Sequence, residues 1–443
     1  MSTEHFDSII VGAGVAGLTA ARLLRQAGQS VVVLEARDRL GGRLHTEREN
    51  GFTTDLGASW IHGIENSPVA EMCRSLAMSM TEFTMGSFQP GGRPVAYFDP
   101  AGKRLSAEAS EAFIHDVQHF DELLSQTIET IAHGSSYADA VKLALQTTDW
   151  DEQRRERVRE YMQHRTEEQD GAYYALIDAH GLDNEQVEGD EVVFPQGYDQ
   201  LATGLAEGLD VRLEHRVSRV VWSEAGVNVF TAQHPFSANQ VVLTVPVGVL
   251  QSDDFVIEPE PPKEFGRALA SFQMNDFEKI ILRFDTRFWD EGVYAIRRQG
   301  PAGDWWHSWY DLSNLHGTPT LLTFAAGPCA IATRPLSDAE VTDLVLSSLR
   351  EIYGDAVVTP HTVHRTNWKE DDLARGSYSY LKVGSDTSAY ADLCAPIGGV
   401  LHIAGEATWQ DDPATVTAAM MSGHRAAARV LQQDIDISQL WLS

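Results

Sequence analysis

"DSIIVGAGVAGLTAARLLRQAGQSVVVLEARDRLGGRLHT", residues 7–46, is the stretch whose reading decides the fold. Residues 7–11 read as a buried strand, 18–26 as a helix stopped at Gly28, and 30–35 as the next strand. Between strand and helix, Gly12, Gly14 and Gly17 keep a G-x-G-x-x-G spacing. Gly12 suits a tight turn, Gly14 lets the backbone approach a pyrophosphate, and Gly17 lets helix and strand pack closely. The helix start, around Ala16, offers N–H groups and a partial positive charge to phosphates. Glu35 can accept both hydroxyl hydrogens of an adenosine ribose, with Ala36 and Arg37 following it at the strand end. A glycine triplet alone is weak evidence. Set between strand and helix, with an acid ending the second strand, it predicts a dinucleotide-binding unit.

Composition bounds what surrounds this unit. A chain of 443 residues, 43% of them hydrophobic, is too long for one ordinary core and predicts two domains. Lys and Arg number 34 against 64 Asp and Glu, a formal net charge of −30. That field repels nucleic acid and anionic membrane and attracts a cationic ligand, although acidity is also common among soluble proteins. Cys73, Cys329 and Cys394 lie too far apart to suggest a disulfide framework or a metal site. A first strand within ten residues of the start leaves no room for a signal peptide, and no apolar run is long enough to span a bilayer. The last five residues match no lipidation or peroxisomal address. The expectation is a soluble cytoplasmic protein without a metal.

The glycine spacing does not separate NAD from FAD, but its C-terminal extension does better. "RDRLGGR" (37–43) pairs Gly42 with Arg43, a loop suited to lie on a pyrophosphate and add a fixed cation. "TTDLGASWIHG" occupies 53–63, "VFPQGYDQLATGLAEGLDVRLEHRVSRVVW" 193–222, and "LHIAGEATWQDDPATVTAAMMSGHRAAARVL" 401–431. In order, these segments resemble the flavin amine oxidase superfamily of monoamine and polyamine oxidases. The Trp-Ile-His-Gly form is closest to polyamine oxidases and their histone-demethylating relatives. The resemblance implies an α/β fold: a discontinuous Rossmann-like FAD-binding domain (1–80, 190–255 and 390–443) with a second α+β substrate-binding domain (81–189 and 256–389). It implies that Gly57, Ala58, Ser59 and Trp60 pass close to the flavin ring and that the Val217 backbone holds the adenine. Glu406 would hold a ribityl hydroxyl, and Thr415 and Val416 would set a helix start at the ring. Three departures fall on the substrate wall: Asp412 where an aromatic is frequent, Ala407 for a histidine, and Thr417–Ala418 for His-Gly. Residues 80–190 read as charged, solvated helices without a motif.

"QMNDFEKIILRF" (273–284) places a lysine inside an apolar strand. Alternation sets Ile280, Leu282 and Phe284 on one face and Phe277, Lys279, Ile281 and Arg283 on the other. Taken alone, the stretch suggests that Lys279 and Arg283 snorkel from a wet face. The resemblance instead implies that Lys279 points inward and holds a water against flavin N5. It also implies that Tyr378 stacks against the amine, with Thr415 as its small hydroxyl partner. Trp368 would lie near the flavin and His62 near the substrate nitrogens; a structural Trp and a backbone-capping His are the alternatives. Ser377 stands where monoamine oxidases carry a flavin-linked cysteine, so FAD should be non-covalent. The function expected is oxidation of a small cationic amine, most specifically a polyamine, by hydride transfer from its α-carbon to N5. O2 would be reduced to H2O2, and the iminium would hydrolyse to an aldehyde. A monoamine oxidase, an L-amino-acid oxidase and a flavin-binding scaffold without turnover are the alternatives; no motif places the arginine that an amino-acid carboxylate would need.

Overall fold

The computed structural model describes residues 4–49, 51–84, 94–181, 188–300 and 305–441; the ends of the chain on which the leader and tail readings partly rest lie outside them. β1 (Glu4–Val11), α1 (Val15–Gln26) and β2 (Val31–Leu34) form the expected opening unit, with Ser8–Val11 parallel to Val31–Leu34. Every residue of β2 is buried, as a parallel strand covered on both faces must be. The other edge of β1 pairs in parallel with the strand Pro235–Leu243. That strand shares its far edge between two partners. Residues 226–231 run antiparallel to its first half, and Leu401–Ile403 lies parallel to its last three residues.

Asp210–Arg212 closes the side beyond β2, and Val217–Ser223 and Val256–Glu258 complete eight strands drawn from three separated stretches of chain. This is the expected α/β arrangement. Glycines fix how closely its layers approach. A Cβ on Gly17 would fall 2.0 Å from the Gly12 carbonyl oxygen, and one on Gly423 would fall 2.2 Å from that of Ala16. The helix Val416–Leu431 therefore seats directly on α1.

A six-stranded sheet stands apart, in the order 362–365, 277–283, 320–326, 308–311, 295–298 and 95–98. Ile280, Leu282 and Phe284 turn one face into a core with Val341, Val345 and Leu349 of the helix Asp338–Tyr353. The opposite face meets the 52–60 segment. There the snorkelling expectation fails. Lys279 is buried, and Arg283 is fully buried, donating to Thr54 Oγ1 (2.6 Å) with its guanidinium 4.6 Å from the Phe52 ring centre.

The helices Ala107–Thr130, Tyr137–Gln146 and Glu152–Asp170 form the expected helical layer. The last of these is not simply solvated. Val158, Tyr161, Met162, His164 and Glu167 are buried, and Arg154 and Arg157 both clasp the buried Asp116. Its C-terminal end carries Glu168, which accepts from Tyr310 Oη (2.9 Å), lies 3.3 Å from His307 Nδ1, and has its carboxyl pushed up by burial.

Among the described residues the three cysteines are buried free thiols, no group of side chains could hold a metal, and no helix is long and apolar enough to cross a membrane.

Candidate functional site

The nucleotide end assembles on the turn between β1 and α1. Gly12 takes φ +107°, and a Cβ there would meet Thr244 Oγ1 at 2.6 Å. Gly14 differs, because a Cβ on it would find nothing nearer than the Gly41 carbonyl oxygen at 4.0 Å. Protein packing leaves that space open. Gly14 caps α1 without a side-chain hydrogen bond, so the first N–H groups of the helix face the opening. Behind it Glu35 is buried, its carboxylate accepting from the backbone N–H of Ala13 (2.7 Å) and of Arg37 (2.8 Å). Ala36 is half-buried beside it, and the Arg37 guanidinium is held by Asp371 at 2.8 Å. An open glycine cradle, a bare helix start and the Arg37 guanidinium fit a bound dinucleotide.

The second glycine loop lies against the first. Gly41 N–H donates to Ala13 O (2.9 Å), and Gly42 takes φ +58° beside Gly14. Arg43 then reaches across the fold, 2.8 Å from Glu406 Oε1 and 3.1 Å from the Ser377 carbonyl oxygen. Glu406 is buried, and its other oxygen accepts from Ser379 Oγ (2.8 Å). Residues 57–59 dock on the same loop. Ala58 N–H donates to Arg43 O, and a Cβ on Gly57 would fall 1.8 Å from that atom, which only glycine permits. Val217 is buried at the start of its strand.

Lys279 ends in this turn. Its Nζ donates to the carbonyls of Asp55 (3.1 Å) and Gly57 and to Ser59 Oγ, and stands 5.7 Å from the Trp60 ring centre. Burial holds its pKa down at about 8, against the pull of the Asp55 charge. Burial also raises Asp55 to about 6, opposed by hydrogen bonds from Thr46 Oγ1 (2.5 Å) and the Tyr198 N–H (3.1 Å). These groups border a small cleft, partly open to solvent, lined by Ser59, Trp60, Lys279, His316 and Leu322 among others.

Around that centre, Trp368 is buried and donates Nε1–H to Leu56 O (3.1 Å). The Tyr378 ring packs 5.5 Å from Phe277, and burial drives its phenol pKa well above the ordinary value. Thr415, its expected partner, spends its hydroxyl elsewhere. It donates to the Asp412 carboxylate (2.9 Å) and accepts from Ala418 N–H, capping the helix that begins at the half-buried Val416. His62 stands with its ring more than half exposed, Nδ1 2.5 Å from Glu191 Oε1. Partial desolvation by the surrounding protein opposes its charging, but the hydrogen bond and charge of Glu191, helped by Asp412, outweigh this and raise its pKa.

Three residues that shape the centre escaped the sequence reading. Asn275 Oδ1 accepts from the N–H groups of Ser377 and Tyr378 (3.2 Å each) and so sets the 376–379 turn. Glu278 accepts from Thr366, Trp368 N–H and Lys369 N–H, fixing the tryptophan. Asp55 orders the turn that receives Lys279. All three lie inside recognisable motifs, and polar residues in otherwise apolar strands were the available signal.

A sequence model of flavin containing amine oxidoreductases matches residues 15–431. The chain belongs to that family. This amine oxidoreductase is 34% identical to polyamine oxidase 4 of Oryza sativa subsp. japonica over 96% of its own length and 89% of the relative's. It is 31% identical to polyamine oxidase 2 of Arabidopsis thaliana, over 99% and 92%. Human lysine-specific histone demethylase 2 is also 31% identical, but only 53% of that protein is covered. In fold the enzyme is similar to putrescine oxidase bound to putrescine (TM-score 0.77, 22% identity, 98% and 100% coverage). It is likewise similar to cyclohexylamine oxidase from Brevibacterium oxydans (TM-score 0.79, 22% identity, 96% and 99% coverage). Its cofactor is a flavin, and the dinucleotide turn assigns the FAD form.

Proposed function

We propose that this flavin amine oxidoreductase oxidises polyamines, with FAD held non-covalently. Bound FAD would supply a two-electron acceptor for the hydride of the amine α-carbon, O2 and a proton would reoxidise it with release of H2O2, and water would convert the iminium to an aldehyde and the remaining amine. Lys279 carries the reading: a buried ammonium directed at the Gly57–Ser59 turn, where a proton can be held or moved beside the ring. Glu35, Arg37 and Arg43 bind the nucleotide, and Glu406 the ribityl chain. Trp60, Trp368, Tyr378 and the Thr415 helix start wall the reacting centre and exclude water, while His62 faces the substrate nitrogens.

The net charge of −30 favours a cationic substrate, and the similarity to plant polyamine oxidases supports the oligoamine class. The two sheets support division into a cofactor domain (1–80, 190–255, 390–443) and a substrate domain (81–189, 256–389). The free thiols support a cytoplasmic location.

The test is a peroxide-release screen over diamines, polyamines, monoamines and L-amino acids. Spermidine or spermine should lead, and the lead should narrow with added salt. A salt-insensitive preference for benzylamine would move the enzyme to the monoamine class; no turnover of any amine would favour the scaffold. Ser377 donates Oγ–H to Phe277 O (2.6 Å) and cannot form a thioether. Acid precipitation should therefore leave yellow flavin in the supernatant, and flavin retained on the chain would refute non-covalent binding.

A further inference from the structure

Lys279 Nζ is received by two carbonyls and a hydroxyl, all within residues 55–59, and none of the three is a carboxylate. The one charged side chain of that turn, lining the same cleft as Lys279, is Asp55. That carboxylate is held from two directions, by Thr46 Oγ1 across the strand pair Thr46–Glu49 and Phe52–Asp55, and by the Tyr198 N–H. Thr46 Oγ1 in turn accepts from Asp199 N–H (3.2 Å), so the clamp is itself anchored.

The other titratable groups packed around Lys279 are committed elsewhere or neutral. Glu278, next in the strand, is consumed by Thr366 and the 368–369 N–H groups. Arg283 turns to Thr54, and Asp199 pairs with Arg48. His62 pairs with Glu191. His316, in the same cleft, is pushed down to about 4 by burial and then by Arg283 and His364. His45 is pushed down to about 4 by burial and then by Arg39 and Arg37.

From this geometry we infer that Asp55 is a positioning residue for Lys279, fixing the turn that receives Nζ and supplying the negative charge that keeps a buried ammonium tenable. The inference rests on the reading of Lys279 as the residue beside the ring, but it makes a claim of its own. The two carbonyls and the hydroxyl also favour the ammonium, which has three N–H donors where the neutral amine has two, and the carboxylate adds the negative charge. Without that charge those contacts alone oppose desolvation, and Lys279 becomes neutral at lower pH.

The chain has six lysines, so holoenzyme carrying ε-¹³C-lysine gives few signals, and Lys279→Met assigns the one at issue. Asp55→Asn should lower the Lys279 titration midpoint by about a unit, the order expected for losing an opposite charge in the same turn. Asp55→Glu should return it toward wild type, and the pH profile of flavin reduction by substrate should move with the midpoint. A folded Asp55→Asn holoenzyme with an unmoved Lys279 midpoint overturns the inference. If that variant does not fold, Thr46→Val removes the donor that favours the ionised carboxylate while keeping Asp55. It should also lower the Lys279 midpoint, and no movement there equally overturns the inference. The reading beneath it fails separately: normal half-reactions in Lys279→Met would remove Lys279 from the ring chemistry whatever the titration shows.

Discussion

Arg43 Nη1 lies 2.8 Å from Glu406 Oε1, joining residues 363 positions apart in the chain. The contact ties the loop that follows the phosphate turn to the last strand of the same sheet, and it brings together two residues assigned to different parts of one ligand. A charge-assisted contact of this kind is worth about 1.5–3 kcal/mol, so Arg43→Ala should weaken FAD binding by about ten- to a hundredfold. Gel filtration at sub-micromolar protein should strip flavin from the variant, and its thermal midpoint should fall as ligand stabilisation is lost. Full occupancy under those conditions would remove Arg43 from the cofactor site.

Gly14 and Gly17 should fail in different ways. Gly14 has φ −76° and ψ 176°, and a Cβ there meets no atom nearer than 4.0 Å, so Gly14→Ala should fold with near-normal circular dichroism yet bind little FAD. Gly17→Ala drives a methyl to 2.0 Å from the Gly12 carbonyl oxygen and should destabilise the fold itself. A Gly14→Ala variant with wild-type flavin content would show that no ligand occupies the open space.

For Lys279→Met, FAD should remain bound, because the nucleotide contacts lie elsewhere, while turnover drops by about 10²–10⁴, the range for a positioned proton-handling group. Stopped-flow absorbance should locate the loss in flavin reduction, reoxidation or both. The apoprotein adds a sign. The folded pKa of Lys279, about 8, lies below its ordinary 10.5. Its contribution to stability is thus present above the ordinary value and lost as pH falls through the folded one. The methionine variant should therefore be the more stable protein at pH 7, with the gap closing toward pH 10.5. A gap independent of pH would contradict the burial of that charge.

His62 and Glu191 predict a pH effect on binding. If His62 faces the substrate as proposed, its protonated imidazole repels an ammonium, so kcat/KM should rise with pH as His62 deprotonates. Glu191→Gln removes the group that raises the His62 pKa, so the rise should begin at lower pH. In stability the pair contributes fully below the ordinary histidine pKa, and that contribution fades as pH rises through the raised folded value. An unmoved profile in Glu191→Gln would place His62 outside the substrate path.

What the sequence disclosed and what it hid divide along physical lines. The 7–46 unit was legible because glycine spacing, a strand and a helix start are local constraints. The later cofactor segments were legible through resemblance, which also gave the direction of Lys279. Alternation alone assigned Lys279 and Arg283 to a common face but made that face wet. It is dry because residues 52–60, more than 200 positions earlier, cover it. Asn275 and Glu278 sat in plain view within the 273–284 stretch, yet their partners are the Thr366 hydroxyl and N–H groups of residues 368–378 that no periodicity locates. The charged helix 152–170 read as solvated for the same reason: the partners of its buried end, His307 and Tyr310, lie at the strand Ser308–Asp311, more than 130 positions later.

The parallel pairing of Leu401–Ile403 with Val241–Leu243 has a consequence for synthesis. A nascent chain can form β1, α1 and β2 within its first few dozen residues. Glu406, Thr415 and the helix that seats on α1 follow Ile403, so the phosphate turn waits through nearly the whole of translation beside an unfinished sheet. If Glu406 and Thr415 hold the cofactor as proposed, flavin capture should be a late event. A chain truncated before the 401–431 segment should then be colourless, which absorbance in the flavin band would check.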